Sequence, residues 1–169
     1  MGPMLETLHR EALALGRGGH QVRIEDAAGI DLWGSPTELH SAFSNLVGNA
    51  IRHTPEGGDV RIRFRRDEPG TPNADGAVLE VIDSGPGIAE AHLPRLTERF
   101  YRVSNSRSRS SGGTGLGLAI VKHVLQRHQA RLEVQSRIGA GSMFACHFPA
   151  ARLRPRDAAI AHHAHEALP

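Results

Sequence analysis

The chain has little that could tie it together covalently or hold it in a membrane. Cys146 is its only cysteine, so neither a disulfide framework nor a cysteine-based zinc site can form, which suits a reducing compartment. No apolar run approaches the roughly 20 residues that span a bilayer, and no secretory signal opens the chain. The expected location is therefore the cytoplasm, with no membrane contact by this segment. Lys122 is the sole lysine among 20 basic residues, aromatics make up 4% of the chain, and the formal net charge is only +2. The densest basic run is Arg61, Arg63, Arg65 and Arg66. Three of these alternate with Val60, Ile62 and Phe64, the pattern of a half-buried strand with a solvated face, so nucleic acid is not an expected partner.

What is present suffices for a core. At 169 residues and 39% hydrophobic content, one domain could bury about 70% of its unfolded surface without staples. Met1–Pro3 reads as a cloning remnant, and Leu5, Leu8, Ala12 and Leu15 give Met4–Leu15 helical spacing before Gly16-Arg17-Gly18-Gly19 stops it. Strands are expected at Gln21–Glu25 and Asp31–Trp33. Ser35-Pro36-Thr37-Glu38 is a capping box with proline at the first helical position, opening a helix that runs to about Thr54, where Pro55 and Gly57-Gly58 end it. Strands follow at Asp59–Arg65 and Ala77–Asp83, then a short helix from about Glu90 to Glu98. A helix from Gly115 to Gln129 should turn Leu116, Ile120, Val124 and Val121 inward, and two strands, Arg131–Gln135 and Ser142–Phe148, pair across Gly139-Ala140-Gly141. Residues 150–169, rich in Ala, Arg and His, read as a frayed tail or linker. The fold class is α+β, a mixed sheet covered by helices. Residues 1–19 form a preceding helix and linker, residues 20–149 the functional domain, and residues 150–169 the tail.

Two glycine-rich segments carry the chemistry. Asp83-Ser-Gly-Pro-Gly87 follows a strand, and Gly112-Gly-Thr-Gly-Leu-Gly117 opens an apolar helix after an Arg- and Ser-rich stretch. A buried carboxylate can accept a hydrogen bond from an adenine amino group, while backbone amides bared at a helix N-terminus receive phosphates. The helix from Pro36 adds a third element. Leu39, Ala42, Phe43, Leu46, Val47, Ala50 and Ile51 form its apolar face, and at about 100° per residue Glu38, Asn45, Asn49 and Arg52 share a stripe beside it. Amide oxygens one turn apart can share a partly hydrated Mg²⁺ with phosphate oxygens, and Arg52 can reach those phosphates; a plain solvated helix face is the alternative. Asparagine is a poor helix former, so two of them flanking Gly48 invite a reason.

Four blocks stand in one order: Asn45-Leu-Val-Gly-Asn49-Ala with His53-Thr54-Pro55, Asp83-Ser-Gly-Pro-Gly87, Glu98-Arg-Phe-Tyr-Arg102, and Gly113-Thr-Gly-Leu-Gly-Leu118. Together they resemble the N, G1, F and G2 boxes of the catalytic, ATP-binding domain of sensor histidine kinases, over roughly residues 21–149. Gly139-Ala-Gly141 looks like the family's last glycine motif, and Pro94-Arg-Leu-Thr-Glu-Arg-Phe-Tyr-Arg102 narrows the likeness to one branch. The resemblance implies the two-layer Bergerat α/β sandwich of the GHKL ATPases. It also implies ATP as ligand, ADP as product and Mg²⁺ as cofactor. By the same resemblance Asp83 reads adenine, Asn45 and Asn49 bind Mg²⁺ and phosphate, and Arg52 sits near the phosphates. Gly85 and Gly87 turn the backbone under the base, with His53 and Ile88 among the nucleotide contacts. Gly113, Thr114, Gly115, Leu116, Gly117 and Leu118 supply amides and a hydroxyl to the phosphates. Phe100 and Tyr101 anchor a lid from about Val103 to Gly113, Arg102 aims at the γ-phosphate, and Ser142 takes a position more often threonine.

The family's partners would be a dimerisation domain carrying the phosphoacceptor histidine and a cognate response regulator, in a full-length sensor anchored in the inner membrane. His9-Arg10-Glu11 is a poor acceptor motif, with no Thr-Pro after it, and His162, His163 and His165 lie in the tail. The chain therefore reads as a catalytic half that binds ATP and transfers little alone. Related gyrase-type ATPases carry a glutamate base one turn before the magnesium asparagine. Asn45 stands there and cannot act as a base, so hydrolysis should be slow. A non-catalytic nucleotide-binding or docking module is the competing reading. A Rossmann enzyme is excluded because the glycine spacing is Gly-x-Gly-x-Gly without a strand directly before it, and a P-loop because no Gly-Lys-Ser/Thr follows.

Overall fold

The structure is a computed structural model that describes residues 1–68, 75–103 and 114–156. Ser35 opens the central helix α2 (Pro36–His53), its Oγ accepting the Glu38 N–H at 3.4 Å, with Pro36 preset at the first turn. The capping box is only half made. Glu38 turns away from Ser35 to pair with Arg127 at 3.2 Å, and the Ser35 N–H donates instead to His128 Nε2 at 3.1 Å. All seven apolar positions of α2 are buried. They pack with α1 (Gly2–Leu15) and α3 (Gly117–Arg127) as one helical layer on one face of the sheet.

Five strands make that sheet: β1 (Gln21–Asp26), β3 (Asp59–Arg66), β4 (Ala77–Asp83), β5 (Arg131–Arg137) and β6 (Gly141–Phe148), in the order β1-β3-β4-β6-β5. β1 pairs with β3 in parallel and every other pairing is antiparallel. Period-2 alternation sends Val60, Ile62, Phe64, Leu79, Val81, Phe144, Cys146 and Phe148 to the helical side, where Phe148 meets Phe43 edge to face at 6.1 Å. The register puts Asp83 opposite both Val60 and Ser142. A strand position at the end of the core face is thus filled by a carboxylate.

Four expectations are corrected. α1 begins at Gly2, taking in two of the three residues read as a remnant, and buries Leu5, Leu8 and Ala12 in the common core. α3 is shorter than expected at both ends, and its inward residues are Val121, Val124 and Leu125, while Ile120 is 40% exposed; the buried stripe is centred on those three, which leaves Ile120 at its edge. The segment Glu90–Arg95 is a tight 3-10 turn because Pro94 cannot continue an α-helix. Residues 150–156 are not frayed: β7 (Leu153–Pro155) pairs antiparallel with β2 (Ile30–Leu32), and Arg156 reaches Asp26 at 2.7 Å. The tail histidines lie outside the described residues. Among the described residues no helix is long and apolar enough to cross a membrane.

The arginine-rich strand does face away from the helices, but it meets a carboxylate there. Glu80, 1% exposed, takes Arg63 Nε at 2.6 Å and Arg65 Nη2 at 2.7 Å. A buried charge that loses its partners is costly, so Arg63→Ala with Arg65→Ala should destabilise the fold by about 3 kcal/mol in urea unfolding. Adding Glu80→Leu should restore most of it. Unchanged stability in the double variant would mean that water reaches Glu80.

Candidate nucleotide site

Three elements converge beyond the end of β4. The Asp83 carboxylate is 7% exposed. Its Oδ1 accepts the Gly85 N–H at 2.9 Å, and the Ser142 N–H also donates to it. Burial pushes this carboxyl above the usual range, while those two donors and nearby His53 pull it down. The turn that follows is fastened to the β5–β6 turn: Ile88 N–H donates to Ser136 Oγ at 2.8 Å, and Gly139 N–H to the Pro86 carbonyl at 2.8 Å. Gly87 has φ +72°, and a Cβ there would lie 2.0 Å from the Arg137 carbonyl oxygen, so only glycine fits against that turn.

The end of α2 forms the adjoining wall. Gly85 packs on the His53 carbonyl, where an added Cβ would stand at 3.1 Å. The pKa of the His53 imidazole is lowered by burial and by the charge of Arg52, raised by Asp83 and lowered again by the charge of Arg102. Arg52, also lowered by burial, lies over Gly48 and donates to Asn49 Oδ1 at 2.7 Å. One turn back, Asn45 Nδ2 donates to the Ser41 carbonyl at 2.8 Å. Oδ1 then faces α3, for a Cβ on Gly117 would sit 2.7 Å from it. α3 has no side-chain cap at its start, so its first amides are open to an anion.

The ends of the expected lid are pinned together. Phe100 N–H donates to the Gly115 carbonyl at 2.9 Å, with φ +65° at Phe100 and +70° at Gly115. Tyr101 is the side-chain anchor: its hydroxyl meets His92 Nδ1 at 2.6 Å and the Arg95 guanidinium lies 4.3 Å over its ring. Phe100 anchors through its backbone only, its ring being 71% exposed. The lid from residue 104 to Gly113 lies outside the described residues. Thr114, Leu116 and Leu118 lead from Gly115 into α3, and Leu118 packs against the core.

Two contributors were missed in the sequence. Ser136 accepts from Ile88, donates to the Gly141 carbonyl at 2.9 Å and meets Ser142 Oγ at 2.9 Å; it sits at an inward position of β5 after Leu132 and Val134, and a hydroxyl on that face was the available signal. His92, which steadies Tyr101, had no comparable one.

A carboxylate at the end of the central strand lies against the last turn of a helix that carries two carboxamides, one of which faces the uncapped start of a second helix. The family model described as histidine kinase-, DNA gyrase B-, and HSP90-like ATPase matches residues 34–152. The chain belongs to this family. Within the ATPase family, the phosphate regulon sensor protein PhoR of Pseudomonas aeruginosa is 52% identical over 151 residues, covering 89% of this chain and 33% of the relative. PhoR of Haemophilus influenzae is 38% identical over 149 residues, 88% of this chain and 34% of the relative. The chain thus spans about a third of the length of these curated relatives. Among solved structures, the mycobacterial sensor histidine kinase MprB superposes with a TM-score of 0.72 at 29% identity, covering 90% of this chain and 96% of that one. ShkA in complex with AMPPNP shares the fold, with a TM-score of 0.69 at 23% identity over 92% of this chain and 30% of that one. In fold and sequence this member of the ATPase family is similar to the catalytic domains of sensor histidine kinases, and its 52% identity to PhoR agrees with the branch to which the sequence likeness narrows.

Proposed function

We propose that this chain binds MgATP and, within a longer sensor kinase, donates the γ-phosphoryl group to a histidine on a separate dimerisation domain. The response regulator served would be one of phosphate-starvation signalling. The observation that carries the reading is the buried Asp83 carboxylate, held by the Gly85 and Ser142 N–H groups. It stands beside a wall where Asn45 meets the uncapped start of α3. In this reading Asp83 takes the adenine amino group, and Ile88 and the Gly85–Gly87 turn lie under the base. His53, kept neutral near neutral pH, and Arg52 contact the sugar-phosphate side, while Ser142 steadies Asp83.

The donor set suits magnesium. Among the described residues no cluster of three or more His, Cys, Asp and Glu could cage a metal. The Asn45 Oδ1 facing Gly117 and the Asn49 Oδ1 that also takes the Arg52 donor are hard neutral oxygens, of the kind that suits an ion that keeps waters and shares phosphate ligands. When bound, magnesium would neutralise phosphate charge. The amides of Gly115–Leu118 and the Thr114 hydroxyl would hold the phosphates, and Arg102 would offset charge at the γ-phosphoryl. The unprotonated nitrogen of the acceptor imidazole bonds to the γ-phosphorus as the bond to the bridging oxygen breaks; the proton on the other ring nitrogen passes to a base of the acceptor domain or to water, and ADP leaves with the electron pair on its β-phosphate oxygen. No glutamate base stands a turn before Asn49, so water is a poor competitor for the phosphoryl group.

Mixing the chain with an intact dimerisation domain and ³²P-labelled ATP tests this. A labelled histidine supports transfer, and nucleotide binding without label would support the docking-module reading. Arg102→Ala should leave MgATP affinity intact and slow labelling about a hundredfold, because its charge acts mostly as the transition state develops. Normal labelling with affinity lowered about tenfold would reverse that role.

A further inference from the structure

α2 and α3 pack antiparallel and meet at two places. At the site end, Gly117 lies against Asn45 Oδ1, with room for no Cβ, which would stand at 2.7 Å. At the far end, His128 caps α3 while reaching the start of α2. The ring is 4% exposed. Its Nδ1 lies 2.8 Å from the Val124 carbonyl, one turn back in its own helix, and its Nε2 accepts the Ser35 N–H at 3.1 Å. A carbonyl on one nitrogen and an N–H on the other define one neutral tautomer, protonated at Nδ1, with both nitrogens in use. Gly34 closes over the ring: a Cβ there would stand 2.3 Å from Cδ2. Outside the ring, Glu38 of α2 pairs with Arg127 of α3, and Arg152 Nη2 approaches the Arg127 carbonyl at 3.5 Å.

We propose that His128 is a positioning residue that fixes the register of α3 against α2, and so the spacing between the α3 amides and Asn45 and Asn49. The inference rests on the nucleotide-site reading above. The physical reason is leverage. The sheet holds Asp83 independently of either helix end, whereas the phosphate half of the site is the gap between two helices, and small shifts in their register alter the placement of groups on which binding depends. His128 is remote from the ligand and acts through Ser35 and Val124. Loss of its Nε2 acceptor should therefore loosen the grip on phosphates while leaving the adenine end alone.

The test uses the whole chain and two probes, MgATP by calorimetry and adenosine by NMR titration, with melting curves to confirm folding. His128→Asn keeps a donor for the Val124 carbonyl but cannot reach Ser35. It should weaken MgATP about tenfold and adenosine less than about twofold, a tenfold change being about 1.4 kcal/mol. His128→Gln, whose Oε1 can reach the Ser35 N–H, should stay within about threefold of the parent for MgATP. Gly34→Ala, which displaces an unaltered ring, should reproduce the asparagine result, and it keeps the question open to test if His128→Asn fails to fold. Parental MgATP affinity in the folded variants, or equal losses for MgATP and adenosine, would overturn the proposal. A parent chain that binds no MgATP would instead sink the nucleotide-site reading itself.

Discussion

Asp83→Asn is expected to abolish measurable ATP binding while the domain stays folded. The carboxylate offers acceptor oxygens only; it takes the Gly85 N–H on Oδ1 at 2.9 Å and the Ser142 N–H, and lone pairs remain for an adenine amino group. Asparagine keeps one oxygen and replaces the other with a donor. With backbone N–H groups of Gly85 and Ser142 already aimed at the group, the amide must turn its NH₂ either toward one of them or toward the base, and each choice opposes donor to donor. The loss should be about 2 kcal/mol or more, at least about thirtyfold in affinity. Folding should survive because removing a charge from a site 7% exposed also removes a desolvation penalty, which offsets the lost hydrogen bond. Calorimetry that returned near-parental affinity would take the adenine role away from Asp83.

How much of this was legible beforehand follows from how local each cause is. Ser35-Pro36 and the face from Leu39 to Ile51 announce α2 because capping and periodicity act within a few turns, and the structure keeps both. Val60, Ile62 and Phe64 gave β3 and its inward face by alternation alone. That Gly117 meets Asn45, and that the end of the same helix at His53 meets the Asp83 turn, was available only through resemblance, since no spacing rule brings residues so far apart in sequence to one place. Long-range exchanges of partner stayed hidden. Glu38 looks like a capping partner of Ser35 until His128, 93 residues downstream of Ser35, takes that N–H. The run after Pro149 has no core pattern because β7 is paired through its backbone and through Arg156, and a three-residue strand on a two-stranded sheet leaves no periodic trace. Phe100 shows the converse: an aromatic beside Tyr101 suggests packing, yet the left-handed backbone that hands its N–H to Gly115 swings the ring outward.

Gly141 should be the least replaceable residue of the site, by a margin that a neighbour calibrates. Its φ is +83°, and an added Cβ would stand 1.9 Å from the Asp83 carbonyl oxygen and 3.1 Å from Ser84 Cα, both backbone atoms that no rotamer can move. Gly139, two residues earlier in the same turn, has φ +78° with nothing within 4 Å of the Cβ position. Gly139→Ala therefore incurs only the left-handed strain, about 1 kcal/mol. Gly141→Ala incurs that strain and must also push β6 off the end of β4, for a total of about 4 kcal/mol. In a domain of this size that corresponds to a fall in Tm of roughly 8–16 °C, against about 2–4 °C for Gly139→Ala. The two should also part in function. β6 delivers the Ser142 N–H to Asp83 and the Ser142 hydroxyl to Ser136, so moving it withdraws a donor from the carboxylate and loosens the turn that Ser136 holds through Ile88. Gly141→Ala should thus bind ATP at least about tenfold more weakly even well below its melting point, while Gly139→Ala binds as the parent does. Equal melting points for the two variants would mean that the turn yields as a unit, and the close approach of Gly141 to Asp83 would then not be what builds the adenine end of the site.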